Sequence, residues 1–270
     1  MRESYEVYAI RYARHEERTR RNNFISSDLH DASMPMDYFV WLIRNGKRAI
    51  VVDTGFNEAM AKRRKRSFLR CPTVGLKMLG VDARSVKDLI ITHLHYDHAG
   101  NFDLFPAARF HLQDREMQFA TGRYMAYPEF RTAYEAKHVS GFVEQVFDGR
   151  VAFVDGEAEI YSGITLHRIG GHTMGLQVVR VWTKRGWMVL ASDASHYYAN
   201  MALKRPFPIV FNVGEMVDGW ERVKGLADGI DHIIPGHDPQ VLRKYRPPNR
   251  RLNGIVARLD TPPTRKPTGT

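Results

Sequence analysis

The sequence predicts a single α/β domain in which two β-sheets pack face to face and helices cover both outer sides. Apolar, strand-like segments fall into two groups along the 270 residues, and a helical segment follows each group. Hydrophobic residues make up 43% of the chain, a share typical of a packed globular core. No uncharged apolar run reaches the roughly 18 residues that a membrane-crossing helix requires, so we expect no contact with a membrane.

The first group of elements leads up to a histidine-rich segment that begins at His93. An Asn45-Gly46 turn joins two strands into a hairpin, and the last apolar strand of the group ends directly before His93. The stretch over 58–70 is basic and is predicted to be one helix. We predict strands over 6–12, 38–43, 48–52, 86–92 and 109–112, and helices over 58–70, 74–79 and 114–120.

Short strands dominate the second half of the chain. We predict strands over 151–154, 164–169, 177–183, 187–191 and 232–234, and a helix over 214–227. Near residue 246 the composition turns to Pro, Arg and Thr. We therefore predict one catalytic domain over 1–246 and a loosely held, Pro/Arg-rich C-terminal tail over 247–270.

The chain is strongly basic, with a formal net charge of +10 and a pI near 9.7. The excess charge is spread over clusters at 18–21, 62–66 and 243–251, and such clusters are usually solvated surface. Neither an aromatic-interleaved RNA-binding signature nor a cysteine-histidine finger is present, so we expect no nucleic-acid partner. The single cysteine, Cys71, cannot form an internal disulfide, which fits a cytoplasmic protein.

The segment Thr92-His-Leu-His-Tyr-Asp-His-Ala-Gly100 carries the strongest chemical signal. Four metal-capable side chains occupy six positions directly after an apolar strand. A loop at a strand end can aim alternate residues in the same direction, so His93 and His95 could share one ion. Asp97 and His98 lie beyond the bend and could reach a second ion. Imidazole and carboxylate ligands suit zinc or a similar divalent metal.

This segment resembles the His-x-His-x-Asp-His signature of the metallo-β-lactamase superfamily, and further motifs follow in that family's order. Upstream, Asp53-Thr54-Gly55 matches an aspartate turn; downstream lie Gly170-Gly171-His172-Thr173, Ser192-Asp193 and Pro235-Gly236-His237. The resemblance implies an α/β fold, the four-layer αββα metallo-β-lactamase sandwich of two mixed β-sheets flanked by helices. It also implies that the Asp53 carboxylate orients a metal-binding histidine.

The same resemblance implies a dinuclear metal site that holds two Zn²⁺ ions, or Fe, Mn or Co in their place. The implied ligands of the first ion are His93, His95 and His172. Those of the second are Asp97, His98 and His237, and Asp193 bridges the two ions.

Within the superfamily, the chain looks most like the quorum-quenching N-acyl-homoserine lactonases, because of its length and its Ser192-Asp193-Ala194-Ser195 and Pro-Gly-His motifs. That branch implies that a hydroxide bridging two zinc ions opens a lactone, with Asp97 passing the proton to the leaving alkoxide. The branch usually has a tyrosine three residues after the bridging aspartate, where this chain has His196. We expect His196, or a neighbouring tyrosine, to donate to the oxyanion. The substrate is then an N-acyl-homoserine lactone or a small aromatic or carboxylated lactone, selected in the latter case by the basic residues at 18–21 or 204–205.

Other functions stay open. A glyoxalase-II-like thioesterase or a phosphodiesterase would use the same fold and the same ligands. A metal-free, ligand-binding regulator on this fold is a further alternative, which the complete set of ligand positions disfavours. A homodimer is expected by analogy alone, with 57–80 as the candidate interface, and a small-molecule lactone is the expected partner.

Overall fold

Two mixed β-sheets form the centre of the protein, whose computed structural model describes residues 2–26 and 31–264. The strands of the first sheet are β1 (Glu6–His15), β2 (Met36–Arg44), β3 (Ala49–Val52), β4 (Ser67–Phe68), β5 (Asp88–Ile90), β6 (Arg109–Gln113), β7 (Val151–Val154) and β13 (Val256–Arg258). Those of the second sheet are β8 (Glu157–Tyr161), β9 (Ile164–Arg168), β10 (Gln177–Thr183), β11 (Gly186–Ser192) and β12 (Ile233–Pro235).

The strand order explains why the sheets are mixed. The first sheet runs β13-β1-β2-β3-β5-β6-β7, with β4 paired to β1. Its first members pair antiparallel through hairpin and edge contacts, whereas β3, β5, β6 and β7 are parallel neighbours. The second sheet runs β12-β11-β10-β9-β8 and is antiparallel except for the β11–β12 pair.

Helices cover the outer face of each sheet, except the last helix, whose Val241 and Leu242 pack in the core between the sheets. They are α1 (Glu58–Arg63), α2 (Pro72–Met78), α3 (Tyr96–Ala99), α4 (Asp114–Ala120), α5 (Pro128–Arg131), α6 (Ala136–Phe147), α7 (Tyr198–Ala202), α8 (Val213–Leu226) and α9 (Gln240–Lys244). The longest of these, α8, has 14 residues, and within residues 2–26 and 31–264 no helix is long and apolar enough to cross a membrane.

Alternating side chains of the central strands supply two different cores, which explains why these strands are apolar on both faces. On β2, Trp41 and its alternate neighbours point into the core between the sheets, whereas Val40 and Leu42 pack beneath the helices of the first sheet. On the far side of the second sheet, Trp220 of α8 packs against Val178 and Val189. The result is the predicted four-layer arrangement of helices, sheet, sheet and helices.

The prediction of one helix over the basic segment 58–70 is wrong. Helix α1 ends at Arg63, Lys65 adopts a left-handed backbone conformation with φ of 53°, and Ser67–Phe68 then pairs with the end of β1. Phe68 packs against the core of the first sheet, and this burial together with the strand pairing outweighs the helical tendency of the lysines and arginines around it.

The tail was expected to be loosely held after residue 246, and this is wrong for the part that the structure describes. Residues Val256–Arg258 form β13, which pairs antiparallel with β1, and the fully buried Leu259 enters the core between the sheets. The free edge of β1 and the apolar character of this short segment explain its order. The division of the chain into a domain over 1–246 and a separate tail stays a prediction.

Candidate metal centre

The loops that follow β3, β5, β9, β11 and β12 meet at one point, and they bring together all seven predicted ligands. Each of the seven residues is at most 8% exposed. They are His93, His95, Asp97, His98, His172, Asp193 and His237. Cys71 does not belong to this cluster; it lies at the start of α2, where its sulfur contacts Thr73.

Three histidines of the cluster aim ring nitrogens at a common point. His93 Nε2 lies 3.1 Å from His95 Nδ1, and His172 Nε2 lies 3.2 Å and 3.0 Å from those two atoms. Nitrogens at a metal distance of about 2.0–2.1 Å in a tetrahedral site would be separated by a similar span. Burial and the neighbouring imidazoles lower the pKa of His93 and of His95 well below the usual range, so both rings are neutral and offer a lone pair.

Four more atoms converge beside this group. Asp193 Oδ1 is 3.0 Å from His237 Nε2 and 3.4 Å from His98 Nε2, and Asp97 Oδ2 lies 3.7–3.8 Å from the same two nitrogens. The other oxygen of Asp193, Oδ2, is 3.4 Å from His172 Nε2. Asp193 therefore turns one carboxylate oxygen toward each group, which is the geometry that a bridging ligand requires.

The outward-facing nitrogens of the histidines are engaged in a way that leaves the inner ones free to bind metal. His172 Nδ1 donates to the Ile209 carbonyl oxygen at 2.6 Å, and His237 Nδ1 donates to that of Asp37 at 2.9 Å. His98 Nδ1 donates to a carboxylate oxygen of Asp53 at 2.7 Å. Such contacts fix the ring orientation and the tautomer of a metal-binding histidine.

Two atoms at the centre, His98 Nε2 and Asp193 Oδ1, are buried and have no hydrogen-bond partner among the described residues. Burial opposes a charge on His98, but the carboxylates of Asp193 and Asp53 outweigh it and raise the pKa of His98 well above its usual range. The electrostatic field at this point thus favours a positive charge. A divalent cation would supply that charge and would satisfy both orphaned atoms, so the residues present fit a metal site.

Asp53 lies where the sequence places it, at a residue with φ of 61° directly after β3. Its Oδ1 accepts from the Thr92 amide at 2.8 Å, and its Oδ2 accepts from the Thr92 hydroxyl at 2.8 Å and from His98. The carboxylate therefore orients His98 and also ties the end of β5 to the end of β3.

His196 is close to the cluster, but its contacts differ from the expected contact with substrate. Its Nε2 donates to Asp193 Oδ2 at 2.9 Å, and its ring stacks on Phe207 with centroids 3.6 Å apart. His196 Nδ1 is buried without a partner in the described part of the chain. The catalytic role of His196 stays a prediction, while this geometry favours a positioning role in which the imidazole holds the Asp193 carboxylate.

Sequence reasoning missed Glu116, a fully buried carboxylate on α4 that connects two ligand loops. Its Oε1 accepts from the Leu94 amide at 2.9 Å and from the Tyr134 hydroxyl at 2.8 Å. Its Oε2 accepts from the Thr173 hydroxyl at 2.6 Å and from the Gly175 amide at 3.2 Å. Nothing near Glu116 in the sequence marks it, because its partners lie 18 to 59 residues away.

The comparison with known families agrees with this geometry. A family profile described as "Metallo-beta-lactamase superfamily" matches residues 35–246. The chain belongs to the metallo-beta-lactamase superfamily. This confirms the resemblance and the fold class that the sequence predicts, and it identifies the cluster as the candidate metal centre of a hydrolase of this superfamily.

Curated relatives include both general metallo-hydrolases and lactonases. The protein named "Probable metallo-hydrolase" in Mycobacterium tuberculosis is 26% identical over 227 residues, which cover 75% of this chain and 72% of that protein. An N-acyl homoserine lactonase of Azorhizobium caulinodans is 26% identical over 183 residues, 63% of this chain and 65% of that lactonase. An N-acyl homoserine lactonase of Agrobacterium fabrum is 28% identical over 178 residues, 59% of this chain and 63% of that lactonase.

Solved structures of the superfamily share the fold. A quorum-quenching N-acyl homoserine lactone lactonase superposes with a TM-score of 0.73 at 22% identity, covering 88% of this chain and 94% of that one. A metal-dependent hydrolase from Staphylococcus aureus gives a TM-score of 0.71 at 12% identity, covering 98% and 97%. At these identities the likeness establishes the fold alone.

The contacts of Glu116 predict a loss of metal affinity in the Glu116→Gln variant. A glutamine cannot accept from four donors at once, so the loops that carry His95 and His172 lose a fixed anchor. We expect metal affinity to fall about 10- to 100-fold, the range found for partners that orient metal ligands. Metal retained against a competing chelator measures this, with folding checked by circular dichroism. Glu144→Gln, at an exposed position of α6, is the matched control. Unchanged metal retention in Glu116→Gln contradicts the anchoring role.

The two roles of His196 predict different losses in a His196→Phe variant. If the imidazole holds Asp193, metal affinity falls about tenfold while turnover in metal-saturated protein changes little, and His196→Gln, which keeps an N–H donor, recovers part of the affinity. If the imidazole donates to the substrate, turnover falls about a hundredfold or more at full metal content. The geometry favours the first result, and metal content measured beside turnover separates the two.

Proposed function

We propose that this chain is a metal-dependent lactonase, which opens a cyclic ester at the centre formed by the seven clustered residues. The observation that carries the proposal is the double set of converging ligands, with Asp193 facing both sets, in a chain whose relatives include N-acyl homoserine lactonases. When bound, two Zn²⁺ ions would supply an activated water molecule and stabilise negative charge on the substrate oxygens.

The donor set narrows the chemistry. All the clustered ligands are imidazoles or carboxylates, and the lone cysteine lies outside the cluster, so no thiolate is available as ligand or nucleophile. At the second position of the signature, where an oxygen-reducing branch of the superfamily has a glutamate, this chain supplies the imidazole of His95. These features support hydrolysis over redox chemistry.

The pocket above the cluster is small. Its volume is about 100 Å³, compared with ~30 Å³ for one water molecule in the liquid. The pocket is lined by four of the clustered residues, His95, Asp97, His172 and His237, and by the apolar side chain of Ile209. The pocket therefore supports a compact reacting group, such as a lactone ring, next to the ligands.

Asp97 is the chain's own candidate for proton transfer. Its side chain is only 10% exposed, yet it lines the pocket, and one of its oxygens lies 3.7–3.8 Å from two of the clustered histidines. A carboxylate at this place can accept the proton of the attacking water and return it to the alkoxide that leaves when the ring opens. Its backbone is held by the buried Tyr12, whose hydroxyl donates to the Asp97 carbonyl oxygen at 2.8 Å.

A hydrolysis panel with zinc-loaded protein tests the proposed function. It compares N-acyl-homoserine lactones, aromatic lactones and carboxylated lactones with a glutathione thioester and a phosphodiester, and it follows acid release at constant pH. Lactone opening that a chelator abolishes and zinc restores is the expected result. Turnover of the thioester or the phosphodiester alone contradicts the lactonase proposal and leaves the fold and the candidate metal centre in place.

The proton-transfer role predicts that Asp97→Asn loses at least about a hundredfold in turnover with little change in folding, because an amide cannot carry the proton. The variant must be assayed at verified metal content, since Asp97 is also a predicted ligand. Asp103→Asn, at an exposed position outside the pocket, is the control. Near-normal turnover of metal-replete Asp97→Asn refutes the role.

A further inference from the structure

Three arginines line the pocket above the candidate metal centre: Arg18, Arg64 and Arg66. They come from two basic clusters that the sequence suggests are solvated surface. All three are half-buried. Arg64 is neutralised, because its guanidinium pairs with the carboxylate of Glu135 and also donates to the Thr132 carbonyl oxygen. Arg18 and Arg66 have no carboxylate partner among the residues that the structure describes.

Arg66 is held in place by neutral groups. Its Nε donates to the Tyr96 hydroxyl at 3.3 Å, and its Nη1 donates to the Arg64 carbonyl oxygen at 2.6 Å and lies 3.2 Å from His15 Nε2. The Tyr96 hydroxyl is in turn 3.3 Å from that of Tyr38, whose ring packs edge-on against His237. Nη2 of Arg66 has no acceptor among the described residues, so two of the five guanidinium donors remain available at the pocket.

Arg18, which also lines the pocket, has the same pattern. Its Nε donates to Asn23 Oδ1 at 2.7 Å, and its Nη2 donates to the Asn22 carbonyl oxygen at 2.5 Å. In the described part of the chain, Nη1 makes no hydrogen bond, so this guanidinium also keeps two donors available. Each arginine is therefore positioned by contacts with neutral groups, while some of its guanidinium N–H groups have no acceptor among the described residues.

The backbone places Arg66 at the pocket through an unusual turn. The left-handed Lys65 ends α1, and the pairing of Ser67–Phe68 with β1 fixes the residue on the other side. Several other half-buried arginines meet a carboxylate, as Arg48 meets Glu3 at 2.6 Å. A half-buried guanidinium group loses part of its hydration, and a neutral substrate would leave the remaining donors of Arg18 and Arg66 without an anion.

We propose that the substrate of this site carries an anionic group, a carboxylate on a small lactone, which Arg66 and Arg18 bind while the ring carbonyl faces the clustered ligands. This specificity rests on the proposed lactonase function. A carboxylate matches the planar fork of a guanidinium and can accept two parallel hydrogen bonds from it. The same groups, with their positive charge, disfavour cationic substrates.

The test compares two lactones that differ only in charge: a γ-butyrolactone with a carboxylate on the carbon next to the ring oxygen, and the corresponding carboxamide. We expect the zinc-loaded protein to prefer the carboxylate by at least about tenfold in kcat/KM. Arg66→Gln raises KM for the carboxylate about 10- to 100-fold, as expected for the loss of a hydrogen bond between charged groups, and leaves the carboxamide kinetics nearly unchanged. Lys62→Gln removes the same charge from an exposed position of the same basic cluster, and we expect it to leave the kinetics with both lactones unchanged.

The Arg18→Gln variant is measured in the same way and replaces Arg66→Gln in the test if Arg66→Gln does not fold. Equal use of the two lactones by the unmodified protein, or an equal loss on both in the arginine variants, overturns the proposal.

A binding measurement separates this proposal from the proposed function. If neither lactone is opened, calorimetric titration with the lactam pyroglutamate and with its neutral amide tests whether the arginines form an anion-binding site. If pyroglutamate binds more tightly than the amide and its binding is lost in Arg66→Gln, the anion site is supported even though the lactonase function is contradicted. Binding that is indifferent to Arg66→Gln overturns the anion site.

Discussion

Two fully buried carboxylates, Asp53 and Glu116, hold the ligand loops of this protein in their places. A buried carboxylate is stable only when donors surround it, and here the donors come from segments far apart in the chain. Asp53 joins the ends of β3 and β5 through the backbone and hydroxyl of Thr92. Glu116 joins the loop after β5 to the loop between β9 and β10. The convergence of histidines and aspartates between the two sheets depends on these anchors.

This arrangement explains why the centre suits a metal rather than an internal hydrogen-bond network. The outer ring nitrogens of His98, His172 and His237 are committed to a carboxylate or to backbone carbonyl groups. The inner nitrogen of His172 then faces two other histidine nitrogens, and those of His98 and His237 face carboxylate oxygens. Such a cluster is unfavourable in isolation, because His98 Nε2 and Asp193 Oδ1 lose their solvation without gaining a hydrogen-bond partner among the described residues. A cation at the common point removes that penalty, which couples metal binding to the stability of the loops.

Much of the fold and nearly all of the cluster could be predicted from the sequence, because local signals mark them. The dense His93–His98 segment follows an apolar strand, and the hairpin at Asn45-Gly46 has a turn of defined chemistry. Long-range contacts set the features that were missed. Glu116 depends on donors from distant loops. Ser67–Phe68 becomes a strand because the end of β1 is available, and the segment 256–258 is ordered by another part of the same edge of β1.

The composition of the chain does not reveal which charged residues lie around the candidate metal centre. The net charge of +10 suggests a generally basic surface, yet two arginines from that excess lie beside the candidate metal centre without an acidic partner in the described residues. Position and pairing, and not the total charge, therefore decide what the basic residues contribute. The enclosing pocket strengthens their effect, since charges are screened less when water is excluded.

The central claim, that these seven side chains hold two metal ions, is tested most directly by anomalous diffraction at the zinc edge from crystals of zinc-loaded protein. The account predicts two peaks: one among His93, His95 and His172, the other among Asp97, His98 and His237, with Asp193 between them. A single peak, or metal bound away from these side chains, would contradict it.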